Sequence, residues 1–304
     1  MLKTAFLFPG QGSQHKGMGS ELLQDPHVSE LADRCSAVAG IDLHRLLTEA
    51  DDEELRLTTN AQPTLLFVGV ALSMLLQRQG IRPHAAAGHS VGEYTALCVS
   101  GALSPEQAVS TVVERGKAMA EAAPPGTSSM TAVLGLDPER VEAAVIGLAG
   151  VWPANYNTPT QTVIGGTLPG LEEANARLKD RGARRVVPLN VAAAFHTPLM
   201  EPAGGVLRGT LDTVGWRAPT MPVIANLSAA PYGEADPIPA ILERQLSSPV
   251  RWADGVRGLV QLGCDCFIEV GPKRALTGMM RELVPGAAAY SVSTPEAARA
   301  LRLT

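Results

Sequence analysis

The sequence predicts an α/β protein: a parallel sheet covered by helices on both faces, with a smaller subdomain inserted into it. Three observations carry this expectation. Short apolar strand-like runs alternate with amphipathic helical runs through short connections, the pattern of a parallel sheet buried from both sides. Between residues 130 and 191 the order becomes β-α-β-β-α-β, that of a ferredoxin-like unit. Ser90 stands between Gly88 and Gly92, where an extended run gives way to a helical one. That is the layout of a nucleophile elbow.

Composition narrows the class. With 304 residues, 45% hydrophobic and 18% charged, the chain can bury a large core and is no candidate for disorder. A formal charge of −5 gives no global reason to bind nucleic acid. No uninterrupted apolar stretch reaches membrane-spanning length, and the N-terminus runs straight into a strand with no signal peptide apparent. The four cysteines are too few and too irregularly spaced for a disulfide framework or a zinc site, so no metal is expected. Cys264 and Cys266 alternate and would share one strand face as small buried residues. This fits a reducing cytoplasm.

Residues 4–8 read as a buried strand that stops at a glycine-rich loop, 9–14. The loop lacks the Lys-Ser/Thr of a phosphate loop and the third glycine of a dinucleotide fingerprint. Its glutamines suit donors to a carbonyl, with a plain tight turn as the alternative. Residues 20–47 are mostly helical in pattern, and 51–54 form an acidic loop or helix start. A buried helix is expected over 64–79 with Pro63 in its first turn, then a strand at 85–87, the elbow, and a helix over 94–99. The elbow serine would expose its hydroxyl at a helix N-terminus, where backbone N–H groups can bind an oxyanion.

Ser104, Pro105 and Gln107 predict a capping box that starts a helix running to about residue 122. Arg115 lies on its flank, in line with Val112 and Met119. Such an arginine either snorkels to water or presents its guanidinium to an anion, and the pattern alone favours snorkelling. The ferredoxin-like order is carried by strands at 130–136, 151–156, 162–166 and 184–191 and helices at 138–148 and 171–181. It lies between plausible hinges at 124–126 and 192–194, giving a core of 1–126 with 192–304 and a small subdomain of 127–191. His196 would end a strand next to that boundary, where clefts form, and is the histidine best placed to partner Ser90. His15, His27, His44 and His84 read as surface or turn residues, and His89 as packing or bonding locally. Beyond it are expected a strand at 221–225, helices at 238–246 and 253–262, a strand at 264–270 and a final helix at 275–283.

Seven blocks stand in register along the chain: FPGQGSQ at 8–14, NAQP at 60–63, GHSVGE at 88–93, RGK at 115–117, ANYN at 154–157, AFH at 194–196 and EVGP at 269–272. With them the chain resembles the malonyl-CoA:acyl carrier protein transacylase family, which includes acyltransferase domains of polyketide synthases. The resemblance implies an α/β-hydrolase-like core with a ferredoxin-like subdomain. It also implies Ser90 as nucleophile, His196 as general base, and an oxyanion hole from the backbone N–H groups of Gln11 and Val91. Arg115 would hold the free carboxylate of a malonyl group, with Gln62, Met119, Asn157 and Phe195 as further substrate-binding positions. Val91 and Phe195 match the malonyl-preferring pattern. The histidine would be oriented by a backbone carbonyl, expected at 245–248, rather than by an aspartate.

The implied partners are malonyl-CoA and a phosphopantetheinylated acyl carrier protein, with no cofactor beyond these substrates, in fatty-acid or polyketide biosynthesis. The enzyme would be a cytoplasmic monomer engaging neither nucleic acid nor membrane. The alternatives are an acyl hydrolase or esterase on the same scaffold, a transacylase for another extender unit, and a non-catalytic carrier-docking module. Lys179, Arg181, Arg184 and Arg185 form a candidate docking surface for an acidic carrier, against the plainer reading of a solvated helix end.

Overall fold

Strand β1 (Thr4–Phe8) is buried at every residue and is followed by α1 (Pro26–Ala39), α2 (Leu43–Thr48), α3 (Thr58–Arg78), β2 (Ala85–Gly88), α4 (Gly92–Val99) and α5 (Pro105–Glu121). Then come β3 (Ser128–Leu134), α6 (Pro138–Val145), β4 (Val151–Thr158), β5 (Gln161–Thr167), α7 (Leu168–Asp180) and β6 (Arg185–Pro188). The chain ends with α8 (Glu201–Thr213), β7 (Val223–Ile224), α9 (Ile238–Gln245), α10 (Trp252–Gln261), β8 (Cys266–Val270), α11 (Ala275–Leu283), β9 (Ala288–Val292) and α12 (Pro295–Ala300). The computed structural model describes residues 2–124 and 126–303, so Pro125 of the expected hinge lies outside the described residues.

Five strands form a parallel sheet in the order β7-β2-β1-β8-β9. Side chains alternate across β1, as a strand requires. Phe6 and Phe8 join the apolar cluster that includes Phe67 of α3 and Val112 of α5, whereas Ala5 and Leu7 join the cluster of α10 and α11 with Trp252 and Leu276. The sheet is therefore covered on both faces. The second sheet is antiparallel in the order β4-β5-β3-β6, with α6 and α7 on its own small core of Val133, Leu136, Ile164 and Leu178. This is the ferredoxin-like arrangement. Its β4 is tied to the main body by paired backbone bonds of 2.9 Å, from Tyr156 N–H to the Val250 carbonyl and from Val250 N–H to the Ala154 carbonyl.

Several expectations need correction. Helix α3 starts at Thr58, so Pro63 lies inside it rather than in its first turn. That helix is also long and apolar enough by length and composition to cross a membrane, though its apolar run is interrupted by polar residues, and 78% of its most apolar window is buried in the core. Helix α7 begins earlier than expected because Thr167 caps it, accepting from Gly170 N–H, which puts the Pro169–Gly170 pair in its first turn. Strand β6 stops at Pro188, so residues 189–197 form a connection and His196 does not end a strand. Cys264 precedes β8 and packs in the α10 cluster, while Cys266 packs on the opposite face of the sheet. All four cysteines are free and buried. The helix at 275–283 is not the last element: β9 and α12 follow it.

The elbow needs its glycines. A Cβ on Gly88 would lie 1.8 Å from the Gly92 carbonyl carbon, and one on Gly92 would lie 2.2 Å from the Phe8 carbonyl oxygen. Between them Ser90 takes φ +55°, a left-handed conformation costly for a side chain.

Candidate active site

Ser90 leaves β2 at the elbow, and His196 comes from the connection after β6, 106 residues later. His196 Nε2 lies 2.7 Å from Ser90 Oγ, and His196 Nδ1 lies 2.9 Å from the backbone carbonyl of Gln245. A carbonyl can only accept, so Nδ1 carries the proton and Nε2 presents its lone pair to the serine hydroxyl. The orienting carbonyl falls within the expected span 245–248, and no carboxylate is needed to fix the tautomer. His196 itself takes φ +60° and is buried. Burial, and then the nearby Arg115 cation, push its pKa down to about 3, so the imidazole is neutral and able to accept a proton.

Arg115 overturns the snorkelling expectation, for it is only 1% exposed. Its Nη1 donates to Gln62 Oε1 at 2.8 Å, and its Nη2 donates to Gln245 Oε1 at 3.0 Å and to Ser90 Oγ at 3.3 Å. The guanidinium also stacks over the Tyr94 ring, 5.4 Å from its centroid. Helix α5 points this side chain inward because its face of Val109, Val112 and Met119 is buried against the core. A buried cation beside a serine hydroxyl can pair with an anion held in the same cavity.

A cavity of about 220 Å³ joins these groups, and all nine residues singled out from the sequence line it: Gln11, Gln62, Ser90, Val91, Arg115, Met119, Asn157, Phe195 and His196. The backbone N–H groups of Gln11 and Val91 meet no protein acceptor among the described residues, as donors reserved for an oxyanion would. Gln62 and Asn157 do more than line the wall. Gln62 bridges Arg115 and the Met119 sulfur, its Nε2 3.3 Å from Sδ. Asn157 Oδ1 lies 3.0 Å from His89 Nε2, so His89 bonds across to β4 rather than locally. A wider depression of about 1010 Å³ lies at the opposite end of β1, near Thr4, His84 and Arg302, and gathers no such pair. No cluster of metal-ligating side chains is found among the described residues.

Sequence reasoning missed a polar cluster beneath the serine. Asn226 Oδ1 accepts from Ser90 N–H at 2.7 Å, and its Nδ2 donates to the Gly88 carbonyl at 2.6 Å, clamping the elbow from both sides. Glu93 is wholly buried and takes hydrogen bonds from Tyr232, Asn226 and Gln245. One signal was available: Glu93 is a charge inside an otherwise apolar helix, Gly92–Val99. Nothing near Asn226 or Tyr232 in sequence marks them out, and Gln245 was expected only for its backbone carbonyl, not for its side chain.

A serine hydroxyl on a neutral imidazole, with two free amides and a buried guanidinium around it, has the parts needed to form and break an acyl ester. Residues 5–294 match the model of the acyl transferase domain family, and the chain belongs to that family. It is 42% identical to the malonyl CoA-acyl carrier protein transacylase of Bacillus subtilis, over 97% of this chain and 95% of that one. It is 40% identical to the protein of the same name from Escherichia coli K12, over the full length of both. Among solved structures, the acyl-carrier-protein S-malonyltransferase of Burkholderia pseudomallei superposes with a TM-score of 0.93 at 38% identity, covering 98% of each chain. A malonyl-transacylase in complex with a holo type II PKS acyl-carrier protein superposes equally well, at 0.93, with 37% identity and 98% of each chain covered.

Proposed function

We propose that this chain is a malonyl-CoA:acyl carrier protein transacylase, moving a malonyl group from coenzyme A to the phosphopantetheine thiol of a carrier protein through an ester on Ser90. His196 Nε2 takes the proton of Ser90 Oγ as the oxygen attacks the thioester carbonyl. The oxyanion that forms sits on the N–H groups of Gln11 and Val91; losing one such donor costs about 10²–10³ in rate. The intermediate collapses by breaking the C–S bond, and the His196 imidazolium returns the proton to the departing thiolate. In the second half-reaction the pantetheine thiol gives its proton to His196 and attacks the ester, and Ser90 leaves as the hydroxyl. The first thiol departs before the second attacks the acyl-serine, which makes the cycle ping-pong, and both thiols use the same base. No cofactor is required.

The observation that carries this reading is the buried Arg115 guanidinium 3.3 Å from Ser90 Oγ. An acyl group with a terminal carboxylate completes it, and one without leaves a buried cation facing apolar surface. A general esterase or a proofreading hydrolase has no use for that cation. The relatives named as malonyl transacylases, and the one bound to its carrier protein, support the same substrate pair. The recipient pathway in this reading is fatty-acid or polyketide synthesis. Intact-mass measurement after mixing with malonyl-CoA tests it: the wild type gains one malonyl group and Ser90→Ala gains none. An unmodified wild type, or an equal adduct on Ser90→Ala, overturns the proposal.

A further inference from the structure

Glu93 is a buried charge for which the reaction above has no use. It lies three residues past Ser90 in the first turn of α4 and is 0% exposed. Oε1 accepts from Tyr232 Oη at 2.5 Å, and Oε2 accepts from Gln245 Nε2 at 2.6 Å and Asn226 N–H at 3.1 Å. No cation pairs with it directly among the described residues. Its counter-charge is Arg115, reached through the side-chain amide of Gln245. That amide has one allowed orientation. Arg115 only donates, so it meets Oε1; Glu93 and the Ser90 carbonyl only accept, so they meet Nε2.

The interposed amide matters. A carboxylate in direct contact with Arg115 would occupy the fork of donors that binds a carboxylate. Held one amide away, Glu93 compensates the buried cation while Arg115 bonds only neutral groups, Gln62, Gln245 and the Ser90 hydroxyl, and keeps Nε without a partner, so no carboxylate of the protein occupies the fork. When a malonyl group is loaded, two carboxylates share one guanidinium. We propose that Glu93 tempers the Arg115 clamp: its negative charge, relayed through Gln245, weakens the hold on the acyl carboxylate so that the loaded enzyme can pass its group on. This rests on the malonyl-transfer reading above. A transferase that gripped the carboxylate as tightly as an isolated buried arginine would load readily and then stall.

The charge is adjustable. Burial pushes the Glu93 carboxyl up to about 7, against the lowering effects of Tyr232, Gln245, the Asn226 N–H and Arg115. The other ionisable groups around this cluster are Tyr94 and Tyr232, both with raised pKa, His196, which is neutral, the Arg115 cation, and Asp236, which acts on Tyr232. Glu93 is therefore ionised at pH 8 and increasingly protonated as the pH falls through 7.

The test compares wild type with Glu93→Gln at pH 8, using malonyl-CoA for loading and free pantetheine as acceptor. The amide can keep the geometry, its oxygen facing Asn226 and Gln245 and its NH2 facing the Tyr232 oxygen. Half-maximal loading should then need on the order of tenfold less malonyl-CoA, the weight of one uncompensated charge at an effective dielectric of about 20. Transfer from the preloaded enzyme to pantetheine should slow by a similar factor, and half-maximal acetyl-CoA loading should stay put. As pH falls from 8 to 6, the wild type should converge on the variant. Tyr232→Phe, which removes one donor that favours the ionised carboxyl, should move in the same direction and serves if Glu93→Gln does not fold. A wild-type adduct whose loading curve is unchanged or shifted to higher concentration in these variants overturns the inference alone. No malonyl adduct on the wild type overturns the transfer reading itself.

Discussion

At the scale of single residues, Arg115 shows how burial decides between two chemistries that a sequence pattern leaves open. An arginine on the flank of an apolar helix face snorkels when water lies within reach of its tip. Here the tip meets Gln62, Gln245 and Ser90 Oγ instead, inside the protein. Arg115→Ala should therefore cut malonyl loading by on the order of 10²- to 10³-fold, the usual cost of breaking a buried pair by removing one partner. Relative loading from acetyl-CoA should rise in the same variant, because the pocket no longer holds an unpaired cation. Competition between the two thioesters, read by intact mass, checks both arms, and equal malonyl loading would remove the clamp from the mechanism. The same residue illustrates what could be read beforehand. Ser90 and His196 were legible because glycines, a boundary and sequence blocks mark them, whereas the span of the orienting carbonyl came from the family resemblance alone. The side-chain roles of Asn226 and Gln245 were not legible, and Glu93 showed only as a charge in an apolar helix, because these roles come from contacts across 130 residues or more, such as the 2.7 Å bond from Ser90 to Asn226.

At the scale of elements, local chemistry was readable and pairing at the sheet edge was not. The capping box at the start of α5 is formed as the sequence predicts, with Gln107 N–H on Ser104 Oγ at 3.2 Å and Ser104 N–H on Gln107 Oε1 at 3.0 Å. All of its information lies within four residues. Strand β9 escaped notice because it pairs only with β8 and is half-buried except at Val292, so its alternation is weak. The elbow lies between these extremes. Its glycines are visible in sequence, but the reason for Gly92 is the Phe8 carbonyl of a strand more than 80 residues away. Gly92→Ala should push α4 off β1 and tilt Ser90 away from His196. The expected result is a loss of malonyl loading larger than any loss of helical content, with a lowered melting temperature by circular dichroism. Unchanged loading would mean that the elbow relaxes without moving the hydroxyl.

At the scale of the whole molecule, a carrier protein that is acidic, as the family resemblance implies, would have to dock on a chain that itself carries a formal charge of −5. Long-range attraction is therefore unavailable, and recognition has to rest on a local basic surface. Lys179, Arg181, Arg184 and Arg185 are exposed and pair with no carboxylate among the described residues. They gather where α7 ends and β6 begins, and β6 leads directly into Leu189 and Val191 of the cavity wall. Arg185 pairs with Leu134, four residues along β3 from Met130 at the cavity, a strand distance of about 13 Å. A carrier seated on these cations would thus stand beside the mouth, with its prosthetic arm free to extend along the strand to Ser90. Replacing Arg184 and Arg185 together by glutamate should leave loading from malonyl-CoA intact, since neither lines the cavity. Transfer from the loaded enzyme to holo carrier protein should slow by on the order of tenfold at low salt, with the difference shrinking as salt screens both forms. Transfer to free pantetheine should not change, which separates docking from chemistry. If transfer to the carrier is equally fast in the double variant at low salt, these cations are a solvated helix end and the carrier docks elsewhere around the mouth.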